Sequence, residues 1–145
     1  MISPDRLKST VLAENLTPTQ LESLAALGTE RTFAAGDTML QPEDGAFTLL
    51  VLLEGECDVL GVMDDEINHL HAGMLVGEVA FLDHRPRSAK AVAKTVCVTA
   101  AFEGDLIARL RKQDGEAATQ LLLNLIGVLC TKLRQATRWI DAGHV

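Results

Sequence analysis

Tyrosine is missing from this chain, and other aromatics are few: Phe33, Phe47, Phe81, Phe102 and Trp139. The core must therefore be mostly aliphatic. Cysteine is sparse and odd in number, at Cys57, Cys97 and Cys130, with no Cys-x-x-Cys pair. This argues against a disulfide framework or a thiolate metal cluster, and free, mostly buried thiols in a reducing cytoplasm are expected. No apolar run approaches a membrane-spanning length, since Leu49–Leu53 is only strand-sized. The N-terminus lacks a charged-then-apolar signal pattern. Basic charge is short as well: the net charge is −7, and no basic cluster of the kind that tracks DNA is present. Direct nucleic-acid binding is therefore not expected. Gly-x-Ser-x-Gly, His-Glu-x-x-His and a nucleotide-triphosphate loop are all absent, so the chain does not read as an enzyme.

What is present is a chain of 145 residues with 48 % apolar content, enough for one ordered domain with a sizeable core. It opens helical. Ser3-Pro4 reads as an N-cap with proline at the first helical position. Thr17-Pro18-Thr19-Gln20 has capping-box spacing and starts a second helix, which carries Leu21, Leu24, Ala25 and Leu27 and stops at Gly28.

From Thr29 the period changes. Candidate strands lie near 30–34, 38–41, 47–53, 57–62, 66–71, 88–93 and 96–102, separated by turn signals such as Ala35-Gly36-Asp37, Glu54-Gly55-Glu56 and Ala72-Gly73. Many short strands with closely spaced turns indicate an all-β sandwich, jelly roll or barrel. After Phe102 the pattern is helical again. A short helix spans Asp105 to Leu110, Lys112-Gln113-Asp114-Gly115 is a break, and a long helix runs from about Ala117 to Ile140, about 36 Å.

That last helix carries two apolar stripes. Leu122, Ile126, Leu129, Leu133, Ala136 and Ile140 are spaced as an a/d heptad seam. Leu121, Leu125 and Val128 lie beside it. One stripe can pack on the domain while the seam pairs with a second copy, so a homodimer is expected. His69 and His71 alternate along a strand and share a face. No third ligand is evident from spacing, so they read as surface histidines and no metal site is expected.

The segment Gly77-Glu78-Val79-Ala80-Phe81-Leu82, followed by Arg87-Ser88-Ala89, reads as a short helical turn, a loop and a small-residue strand. It brings one carboxylate and one guanidinium within reach of a single pocket, which suits a ligand with a sugar hydroxyl and a phosphate. The guanidinium forks onto two phosphate oxygens, and the short helix beginning at glycine offers free N–H groups.

Within an antiparallel barrel with helices at both ends, this segment resembles the phosphate-binding cassette of the cyclic nucleotide-binding domain family. The likeness extends more loosely from about residue 20 to 139. It implies an eight-stranded antiparallel jelly-roll β-barrel with flanking helices in a single domain over 1–145: N-terminal helices at 1–28, barrel at 29–102 with the cassette at 77–89, and a C-terminal helical lid and dimerisation helix at 103–141. It also implies binding of cAMP or cGMP as ligand, with no further cofactor. Glu78 would accept from the ribose hydroxyl and Arg87 would pair with the cyclic phosphate. Gly77, Val79, Ala80, Ser88 and Ala89 would complete the cradle.

The pattern departs from the family at Val76, where phenylalanine is usual, and at Lys90, where threonine or serine is common and which is expected to face solvent. His84, in the cassette loop, is expected to be solvent-exposed or close to the ligand rather than catalytic. Over the base, the resemblance points to Thr137 and Arg134 on the long helix and to Trp139 as a stacking cap. Trp139 reads equally as a helix-end aromatic or a dimer contact. Two alternatives stay open: a degenerate module serving interaction or dimerisation, and a receptor for another anionic ligand such as cyclic di-GMP. Without a DNA-binding segment in the sequence, the output is expected to pass to an unidentified effector, either a separate partner or part of a larger protein.

Overall fold

The computed structural model describes residues 1–61 and 63–139. Val62 and residues 140–145 fall outside it, as does the side chain of Trp139. The end of the expected fourth strand and Ile140 of the expected seam therefore lie outside the described residues.

Among the described residues, eight strands form two four-stranded antiparallel sheets. One is ordered β1 (Thr29–Phe33), β8 (Cys97–Phe102), β3 (Leu49–Glu54), β6 (Leu75–Val76); the other is β2 (Thr38–Leu40), β7 (Lys90–Ala93), β4 (Glu56–Leu60), β5 (Glu66–His71). The expected eight-stranded antiparallel jelly roll is thus present as two packed sheets. Strand β6 has only two residues and no alternation of its own. It pairs Leu50 with Val76 and Val51 with Leu75, and its short length explains why the apolar pattern alone did not mark it.

The Leu49–Leu53 run has a simple cause. Leu50 and Leu52 point between the sheets, against Leu40, Cys57, Leu70, Val76 and Ala101. Leu49 and Val51 point the other way, into a second core with Phe102, Leu24, Leu106, Leu110, Leu121 and Leu125. A strand buried on both faces needs apolar residues at successive positions. The β4–β5 sheet instead shows its outer face to solvent, and there charged residues alternate with buried ones.

Helices α1 (Pro4–Leu7) and α2 (Pro18–Ala26) pack at one end, with α4 (Leu106–Gln113) and α5 (Gly115–Trp139) following the barrel. The Thr17 capping box is formed: Gln20 N donates to Thr17 Oγ1 at 3.2 Å, and Thr17 N donates to Gln20 Oε1 at 3.0 Å. Ser3, by contrast, makes no side-chain cap to α1. Gly28 follows α2 for lack of room rather than as a left-handed cap, because a Cβ there would sit 2.7 Å from the Phe102 ring. The break between α4 and α5 narrows to Asp114, which is extended (φ −159, ψ 101); its Oδ1 accepts from Glu116 N and Ala117 N, both at 3.1 Å. One residue ends α4 and caps α5.

The second stripe of α5 is the one that packs. Leu121 and Leu125 are fully buried and Val128 packs beside them. Of the heptad seam, Ile126 is 50 % and Leu133 68 % exposed while Leu122 and Leu129 are half-buried; beside it Leu123 is 55 % exposed. None of the described helices is long and apolar enough to cross a membrane.

Candidate functional site

The cassette begins with a conformation only glycine takes easily. Gly77 has φ +84, and a Cβ there would meet Arg87 Nη1 and Leu40 Cδ1, each at 2.6 Å. Its position lets the chain turn directly from β6 into α3 (Glu78–Asp83). Helix α3 then buries Glu78, Ala80 and Phe81 and leaves Val79 exposed. His84 closes α3 with φ +53 and is exposed as expected; it stacks on Phe47 with ring centroids 4.6 Å apart.

Arg87 lies nine residues beyond Glu78 and is itself only 9 % exposed. Burial of a guanidinium demands partners, and the fold supplies four. Nη2 donates to Thr48 O at 2.8 Å and Ala46 O at 3.2 Å, Nη1 donates to Gly77 O at 3.3 Å, and Nε donates to Asp44 Oδ2 at 3.3 Å. Arg87 therefore ties the cassette to the segment that leads into β3. A guanidinium has five N–H donors, so one on Nη1 is left over.

Glu78 is 2 % exposed. Its Oε1 meets the ammonium of Lys132 on α5 and, among the described residues, no other hydrogen-bond donor. Burial pushes the Lys132 pKa down. The ion pair directly links the cassette to the long helix.

Both groups border one pocket of about 670 Å³, within the size range that holds a small ligand. Gly77, Glu78, Val79 and Ala80 line it from α3, and Pro86, Arg87, Ser88 and Ala89 from the loop. Leu40, Val59, Leu70, Leu75, Val76 and Ala91 form an apolar wall, with Ile67 and Asn68 of β5 at its edge. Ser88 and Ala89 precede β7 rather than belonging to it. Lys90 lines the pocket through part of the residue while its ammonium pairs with Asp64 at 2.7 Å.

From α5 the lining residues are Lys132, Gln135 and Ala136, spaced three and four apart on one helix face. Arg134 and Thr137 are exposed and do not line the pocket, and the Thr137 hydroxyl donates to Leu133 O at 3.0 Å. The role of the Trp139 side chain lies outside the described residues. Sequence reasoning named Ala136 only as a seam residue and passed over Lys132 and Gln135. The i, i+3, i+4 spacing was visible, but which face met the cassette was not. Asp44 was missed for the same reason, lying 43 residues before Arg87.

The arrangement is a pocket in a jelly roll that sets a guanidinium and a carboxylate on one lining and is bounded on one side by a long helix. The family model for the cyclic nucleotide-binding domain matches residues 30–114. The chain belongs to the cyclic nucleotide-binding domain family, a family of regulatory, ligand-binding domains. It is 33 % identical over 132 residues to glutaminase 1 of Bradyrhizobium diazoefficiens, covering 90 % of this chain and 21 % of that protein. It is also 33 % identical over 93 residues to a cAMP-dependent protein kinase regulatory subunit of Colletotrichum orbiculare, covering 63 % of this chain and 24 % of that protein. The chain thus spans about a fifth to a quarter of the curated relatives it matches. In fold it resembles a cyclic nucleotide-binding domain from Methylobacillus flagellatus, with a TM-score of 0.85 at 21 % identity over 97 % of this chain and 82 % of that one.

Proposed function

We propose that the chain is a sensor for a cyclic nucleotide, cAMP or cGMP, that passes ligand occupancy through α5 to a partner or attached effector. The observation that carries this is the convergence of Glu78 and Arg87 on one pocket whose α5 wall is tied to Glu78 by Lys132. The cyclic phosphate takes the free Nη1–H of Arg87 and replaces Asp44 as the anion at Nε. The ribose hydroxyl donates to Glu78, which must then share or release Lys132. Ser88 adds a hydroxyl donor, and the purine lies along the apolar wall beside Gln135 and Ala136. Loosening Lys132 changes the hold on α5, so occupancy shifts the population of helix orientations. A domain similar to this one forms about a fifth of a protein named a glutaminase, which supports coupling to a separate effector activity. The open seam of Ile126, Leu129 and Leu133 supports a homodimer, and a clean monomer at high concentration in sedimentation equilibrium would end that part of the proposal.

One feature favours a second reading, a degenerate domain used for interaction. Arg87 and Glu78 already have protein partners in Asp44 and Lys132. Calorimetric titration of ligand-stripped protein with cAMP and then cGMP separates the two. Low-micromolar or tighter binding that is lost in Glu78→Gln supports the sensor and gives its base preference. No heat with either nucleotide, from folded protein, selects the interaction module after a further titration with cyclic di-GMP.

A further inference from the structure

The solvent face of the β4–β5 hairpin gathers metal-ligating side chains that the nucleotide pocket does not use. Strand alternation by itself would put Glu66 on the opposite face from His69. The register shifts here, however: Val59 pairs with Asn68 while Leu60 pairs with Glu66, so Ile67 is an extra, bulged residue. The bulge turns Glu66 onto the face that carries Asp58 and His69, which are themselves direct cross-strand partners. One ligand atom from each of Asp58, Glu66 and His69 lies within 4.8 Å of the others.

The imidazole is held in a way that suits coordination. Its Nδ1 lies 2.7 Å from Asp58 Oδ1, and its Nε2 lies 3.1 Å from Glu56 Oε1. With Glu56 accepting from Nε2–H, the Nδ1 lone pair faces Asp58 and the side Glu66 approaches. A carboxylate that orients a ligating histidine through its other nitrogen is a recurring support of metal sites. Lys90 of the neighbouring strand β7, the register partner of Leu60, has its ammonium already paired with Asp64.

We propose that Asp58, Glu66 and His69 form a site for a divalent transition metal, Zn²⁺ by ligand chemistry, with Glu56 orienting the imidazole. One nitrogen and two carboxylate oxygens are ordinary zinc donors, and water completes a tetrahedral set. The three ligand atoms need to close by about 1 Å toward zinc, which rotation of exposed side chains permits. The proposal is independent of whether the pocket binds a nucleotide, because the site lies on the outer face of the hairpin.

The test is calorimetric titration of chelator-treated full chain with Zn²⁺, repeated for His69→Gln, Glu66→Gln, Asp58→Asn and His71→Gln, with circular dichroism to show that each variant is folded. The expected result is one site of micromolar affinity, weakened at least tenfold in the first three variants and unchanged in His71→Gln. Co²⁺ in place of Zn²⁺ should give a spectrum free of thiolate charge-transfer bands, which separates this site from the exposed Cys130. No binding, binding that survives His69→Gln or Glu66→Gln, equal loss in His71→Gln, or a thiolate band would overturn the proposal.

Discussion

Replacing Arg87 by alanine perturbs two things at once, and the structure assigns a size to each. The side chain donates four hydrogen bonds, three of them to backbone carbonyls around Gly77, Ala46 and Thr48 and one to Asp44. A hydrogen bond contributes about 1 kcal/mol net, and more when one partner is charged or the other is left buried and unpaired. Thr48 is buried, so water does not readily replace the donor its carbonyl loses. The stability cost sums to roughly 3–5 kcal/mol. At about 2–4 °C per kcal/mol for a domain of this size, the melting temperature should fall on the order of 10 °C. The phosphate contact is a separate quantity. Loss of a charge-assisted bond worth about 1.5–3 kcal/mol weakens ligand affinity by about tenfold to 150-fold. Thermal denaturation and nucleotide titration of Arg87→Ala and Arg87→Lys measure the two effects independently. Lysine keeps the charge but reaches fewer acceptors, so it should recover part of the stability and little of the affinity. An unchanged melting temperature in Arg87→Ala refutes the structural role argued here. Unchanged affinity, in a protein that binds nucleotide, refutes the phosphate role.

Four other outcomes are expected. Lys132→Met leaves the Glu78 carboxylate buried without its counter-ion; because Lys132 is 39 % exposed, the cost is discounted for solvent to about 1–2 kcal/mol. The double variant with Glu78→Gln should regain most of that loss, and strictly additive losses in chemical denaturation would argue against the pair. Gly77→Ala forces a φ of +84 on alanine and crowds Arg87 and Leu40, so roughly 2–3 kcal/mol should be lost; a variant as stable as the parent would show that the turn tolerates a Cβ. Burial pushes the Cys57 thiol from 9.0 up to about 12, so the folded state holds a proton that the unfolded state releases first. That contribution is intact below pH 9 and is lost as pH rises from about 9 toward 12. At neutral pH a thiol reagent should label Cys130 rapidly and Cys57 and Cys97 only on unfolding, whereas rapid labelling of all three in folded protein would contradict the burial.

Much of this molecule is written locally. The Thr17 capping box and the Gly77–Ala89 segment are read from residues a few positions apart, because hydrogen bonding within one turn decides them. The continuous apolar run at β3 and the paired stripes of α5 follow from periodicity, which reports burial one element at a time. Periodicity does not report which face meets which neighbour. The family resemblance pointed to Arg134 and Thr137 over the base, whereas the packing presents Lys132, Gln135 and Ala136 to the pocket.

The composition and local spacing alone determined an aliphatic, mostly β domain, its terminal helices, and a carboxylate and a guanidinium held nine residues apart. Tertiary structure decided what those two charges meet. Asp44 reaches Arg87 across 43 positions, and Lys132 reaches Glu78 across 54. It also decided that Ile67 bulges and so turns Glu66 toward His69. Short-range rules act through bonds within a turn or along one strand, and they carry no record of sheet register or helix docking. Those are set only when the two sheets and α5 close on their shared cores, and the partners of a buried charge are chosen at that step.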